Sequence, residues 1–147
     1  IMAITTNAIA NSFKKELLEA KHDFTQTSGD QFKIALYTNS ATLGKSTTSF
    51  TTDHQVSNTG QYTSGGGKLA KGSQQTSVAS SVAIVDFADR SFTGVTLTAR
   101  GALIYNTSNS NTAVAVLDFG GDKTATAGTF TIQFPAFTTS AAILRIS

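Results

Sequence analysis

The sequence predicts a mainly β fold, an antiparallel β-sandwich or jelly-roll-like barrel with one amphipathic α-helix near its N-terminal end. Two observations carry this reading. Six or seven short apolar segments, several alternating with period two, are separated by turns of Gly, Asn, Ser and Thr. Helical spacing occurs once, near the start, and strand and helix patterns do not alternate as a parallel βαβ fold requires. The 147 residues fit one domain, 1–147, with the helix at about 8–21 and the β-domain at about 32–147. A compact chain of this size buries roughly 68 to 70% of its unfolded surface, enough for a sizeable core.

The helix follows from Thr6 and Asn7 as N-cap types and from Ile9, Phe13, Leu17 and Ala20 at three- and four-residue spacing. Lys21 and His22 are expected in its last turn, where the helix dipole favours positive charge. From Phe32 the period becomes two, with Phe32, Ile34 and Leu36 on one face of a first core strand. The stretch 38–64 is rich in Ser, Thr, Asn and Gly, and is expected as a long loop with at most one edge strand. Three glycines at 65–67 precede a marginal strand at 68–71, and the low-complexity region 38–80 as a whole is expected to form surface loops.

Val82, Ala83, Ile84 and Val85 form a continuous apolar run of strand length, which predicts a buried strand over 81–87. Val95 and Leu97 alternate with Gly94, Thr96 and Thr98 in another. The centre of the pattern is a hairpin over 99–124, with strands at 102–105 and 113–119, a polar turn at 106–111 and a closing corner at Gly120, Gly121, Asp122 and Lys123. Phe130, Ile132 and Phe134 alternate before Pro135, which has no N–H to continue a ladder. Residues 143–146 make the last strand. The core is expected from Phe32, Ile34, Leu36, Val85, Leu97, Ile104, Val114, Val116, Phe130, Ile132 and Ile146, in two facing sheets.

Charged residues are 14% of the chain against a usual figure of about 25%, so the polar surface is mostly uncharged. Net charge is +2, and only Lys14 and Lys15 are adjacent basic residues; without a basic cluster no nucleic-acid partner is expected. The chain has no cysteine, hence no disulfide and no Cys-based zinc site. Its apolar runs fall far short of the roughly 20 residues of a membrane span, so no membrane partner is expected. The short stretch before the helix has no signal-peptide pattern.

Motifs with chemical meaning are sparse. Gly44-Lys45-Ser46 ends like a phosphate-binding loop, but Asn39 stands where its first glycine belongs and no helical period follows. Asp118-Phe119-Gly120 matches the kinase magnesium tripeptide in letters only. Asp86 with Asp89, and Asp118 with Asp122, are better turn-makers than calcium ligands. His22 and His54 are the two histidines, neither beside a serine nucleophile motif. Tyr37, Tyr62 and Tyr105 suit sugar stacking or, more simply, apolar coverage with a polar tip. No catalytic residue, metal ligand or cofactor is expected, and the chain is read as non-enzymatic.

Several segments together resemble the small virion structural proteins of tailed bacteriophages, of the marine and cyanobacterial type. They are Met2-Ala3-Ile4-Thr5-Thr6 leading into Asn11 through Leu18, then Phe32-Lys33-Ile34-Ala35-Leu36-Tyr37-Thr38, then 99–106 and 113–126, with Phe130-Thr131-Ile132-Gln133-Phe134-Pro135 and 143–146 closing the chain. The resemblance implies a particle component, most readily a capsid decoration or cement protein, assembled in the bacterial host cytoplasm and located in the virion. It implies partners of two kinds: further copies of the chain in a symmetric homo-oligomer, with a trimer as the working form, and other virion proteins such as the major capsid protein. A tail or adaptor component and a carbohydrate- or receptor-binding β-module are the alternatives. A sandwich fills its core from two sheets without a helix, so Ile9, Phe13 and Leu17 are the candidate subunit or particle contacts.

Overall fold

The computed structural model describes residues 4–70, 75–138 and 140–147. It is mainly β, with two antiparallel sheets and one short helix near the N-terminal end. In chain order the elements are β1 (Ala8–Ile9), α1 (Asn11–Leu18), β2 (Phe32–Tyr37), β3 (Gly67–Lys68), β4 (Gln75–Ala79), β5 (Val82–Asp86), β6 (Arg90–Asn106), β7 (Thr112–Ile132) and β8 (Leu144–Ile146). The larger sheet has the order β1-β7-β6-β2-β3 and the smaller one β4-β5-β8.

The β6–β7 hairpin dominates, and its expected strands prove to be parts of two longer ones, 17 and 21 residues in length. The turn after Asn106 lies where the polar run placed it. Ser110 and Asn111 take φ of 52° and 57°, and the Asn106 side-chain carbonyl accepts the Ser108 N–H at 2.9 Å. The Gly120-Gly121-Asp122-Lys123 corner does not end the strand. Ala99 pairs with Lys123 and Gly101 with Asp118, so residues 119–122 bulge out opposite Arg100 while the ladder continues beyond them. Gly120 enters this bulge at φ 78°, a region open to glycine at little cost. Asp118 closes it, its Oδ1 accepting both the Gly120 N–H (2.9 Å) and the Arg100 Nε–H (3.2 Å).

β2 pairs with the inner half of β6, from Phe32 opposite Asn106 to Tyr37 opposite Gly101. Lys33 is half-buried and the other five β2 side chains are buried, because β2 is an inner strand covered on both faces, not on one face as the alternation suggests. The outer half of β6 is flanked by loop. Gln61 N–H donates to Thr93 O, Thr93 N–H to Gln61 Oε1, and Thr96 N–H to Thr59 Oγ1. Residues 38–64 thus form the expected long loop, tied down by isolated bridges from Tyr37 to Gln55, Ser49 to Thr112 and Thr59 to Tyr62.

Several expectations need correction. The helix spans Asn11–Leu18, not 8–21, because Ala8 and Ile9 pair with Val116 and Ala115 of β7 before the chain turns helical. Its N-cap is Ala10, which makes no side-chain cap; Asn7 instead accepts the Asp118 N–H at 2.6 Å. Lys21 and His22 lie beyond the helix. Residues 75–79, placed among surface loops, form β4 against β5, joined through Ser80 and Ser81 at φ 50° and 64°, as a two-residue hairpin turn requires. Of the marginal strand at 68–71, Gly67–Lys68 forms β3, and residue 71 lies outside the described residues. β5 is only partly buried, with Ala83 exposed. Nine of the eleven expected core residues are buried; Val85 is half-buried and Ile146 is 56% exposed.

Candidate interaction surface

Ile146 is exposed because it belongs to a groove between α1 and the smaller sheet. Antiparallel register sets Val78 opposite Ala83 and Ala83 opposite Ile146, a row of three apolar side chains across β4, β5 and β8. Two residues along, Val85 stands opposite Leu144 on the same face. Leu144 is buried and Val85 half-buried, both packing on the main core, while the Val78–Ala83–Ile146 row runs past it. Ile9, Phe13, Leu17 and Leu18 form the opposite wall of a groove of about 640 Å³. Leu18 is 90% exposed and Val78 72%; with Ile146 they are three of the four large apolar side chains exposed among the described residues. Phe137 is the fourth.

The end of α1 fixes where Leu18 points. Ala20 N–H donates to Leu17 O and Lys21 N–H to Glu16 O, a paired closure with Ala20 at φ 58°, which is the Schellman arrangement with alanine where glycine is usual. The chain then doubles back and buries His22 against Phe13, ring centroids 4.8 Å apart. His22 Nδ1 lies 3.0 Å from Asn106 Nδ2, and Nε2 lies 3.3 Å from Glu16 Oε1. Asn106 Nδ2 also donates to Asp30 Oδ2 at 2.7 Å, so the amide serves as donor to both and the His22 proton is assigned to Nε2, facing Glu16. This cluster pins the helix end to the hairpin turn.

All three expected contact residues line the groove, in different ways. Phe13 is 4% exposed and belongs to the chain's own core, its ring tilted against His22 and edge-on to Phe24. Ile9 is half-buried on β1 and Leu17 half-buried on α1. Leu18, Val78, Ala83 and Ile146 were missed. Leu18 falls off the helical stripe, and the other three gather only through strand register, which a single sequence does not display.

The remaining candidates have structural partners. Gly44 and Thr47 close a turn whose Lys45 carbonyl accepts the Asn11 N–H at the start of α1. Asp89 accepts the Phe134 N–H, Asp86 the Phe87 N–H, and Asp122 the Asn39 amide. Asp86 is buried, which raises its carboxyl above the ordinary range. His54 sits on a loop at φ 60°, and its carbonyl accepts the Thr38 N–H. Tyr37, Tyr62 and Tyr105 are buried: Tyr37 and Tyr105 donate from the sheet to Thr51 O and Gly65 O, while Tyr62, in the loop, accepts the Leu36 N–H and donates to Gln55 Oε1. Buried this way they offer no stacking face to a sugar. Burial raises all three phenols, Tyr105 to about 12.

Fold and groove together define a mainly β protein with an open apolar face on one side. Compared with family models, curated proteins and solved structures, the chain matches none.

Proposed function

We propose that the protein is a non-enzymatic bacteriophage virion structural protein of the capsid decoration or cement type, working in many copies and attached through the α1–small-sheet groove. One observation carries the contact: Leu18, Val78 and Ile146 converge on one groove and remain in water in the isolated chain. Leaving such side chains exposed forgoes about 1.5 to 3 kcal/mol each relative to full burial, so a partner surface that covers them gains affinity. The particle setting is supported by the chain-long sequence resemblance. The symmetric homo-oligomer, with a trimer as its working form, and the major capsid protein as neighbour belong to the same proposal.

The test is an electron-microscopy map of the intact particle made with protein carrying a visible fusion tag. Density for the chain at points where coat subunits meet is expected. Density confined to the tail would replace the decoration reading with the tail or adaptor reading, and absence from the particle would remove both.

A further inference from the structure

We propose that the groove receives an amphipathic helix of a different protein, apolar on its inward side and acidic along its flanks; the inference rests on the assembly reading and names the partner's chemistry.

The walls decide the shape of the occupant. One is the side of α1 and the other the Val78–Ala83–Ile146 face of the smaller sheet, so both present side chains toward the groove. A segment lying there must satisfy its own N–H and C=O groups, as a helix does. The floor decides the anchor. Ala83 sits between Val78 and Ile146, a small side chain between two larger ones, which leaves a notch for one large apolar residue.

Charge decides the flanks. Lys14 and Arg145 are the charged residues that line the groove among the described residues, both positive and both exposed, and no Asp or Glu shares that lining. Lys14 makes no ion pair among the described residues, and Arg145 Nη1 donates to the Ser140 carbonyl, not to a carboxylate. A second copy meeting this face by two-fold symmetry would set two Lys14 and two Arg145 around one apolar seam, where like charges repel. Carboxylates on another protein complete the site.

The probe is a fluorescently labelled peptide of about 18 residues, long enough for partial helicity, with leucines along one face and glutamates on both flanks. Its twin carries lysine at every glutamate position. Anisotropy titration of the full chain is expected to show the glutamate peptide binding at least about tenfold tighter than its twin at low salt, with the gap shrinking as salt rises. The double variant Lys14→Glu with Arg145→Glu should reverse the preference. Val78→Asp, at an exposed position, should abolish binding with the circular dichroism spectrum unchanged. Equal binding of the two peptides, or binding of neither, overturns the inference. So does a dimer of the chain alone that Val78→Asp dissolves in sedimentation, because a second copy then fills the groove. If peptide preference holds while the protein is absent from particles, only the virion reading fails; if particle association survives without the preference, only this inference fails.

Discussion

Ala20 carries a local cost that a single substitution can relieve. A side chain in the left-handed region costs roughly 1–2 kcal/mol, and Ala20 holds φ 58° because the paired closure of α1 and the seating of His22 require it. Ala20→Gly is expected to stabilise the protein by about 0.5–1 kcal/mol, less than the relieved strain because glycine has more backbone freedom to lose. A higher urea midpoint at unchanged slope is the check. The buried tyrosines give a pH prediction. Their folded pKa values are raised, Tyr105 to about 12, over an unfolded value of about 10. Their contribution is therefore complete below pH ~10 and is lost as pH climbs through the folded values. Urea midpoints should be level from neutrality to about pH 10 as far as these phenols govern them, and fall steeply above it.

At the scale of elements, the strands of the large sheet were legible and their lengths were not. Large apolar residues at Phe32, Ile34 and Leu36, and the apolar runs on either side of the Asn106–Asn111 turn, located β2 and the hairpin, where burial on both faces leaves few polar side chains. The continuity of β6 and β7 past Gly94 and Gly120 was hidden, since a bulge uses the same residue types as a turn. β4 was hidden for another reason: Gln75–Ala79 has one large apolar residue, and the Ser80-Ser81 turn pairs it with β5. Of the helix stripe only Phe13 is buried: Ile9 and Leu17 are half-buried, Ala20 is exposed beyond the helix end, and β pairing by Ala8 and Ile9 took the first turn. Deleting residues 1–22 should now lower the melting temperature sharply, since Ile4, Ala10, Phe13 and His22 are buried and β1 lies on β7. Asn106→Ala should cost about 1–3 kcal/mol by leaving buried partners unpaired, seen as an equal loss by calorimetry and urea unfolding.

For the whole molecule, the groove was half legible. Ile9, Phe13 and Leu17 came from helical periodicity, whereas Val78, Ala83 and Ile146 meet only once β8, far along the chain, joins the β4–β5 hairpin in register. The central claim is that this face is open in the isolated chain and covered in the assembly. The sequence has no cysteine, so Leu18→Cys gives a single thiol at a 90% exposed position. The decisive measurement is the rate at which a maleimide labels that thiol in the isolated protein and in purified particles containing it. Rapid labelling of the isolated protein and protection by at least about tenfold in the particle is the predicted result, as burial at an interface core requires. Equal rates in the two states would contradict the account.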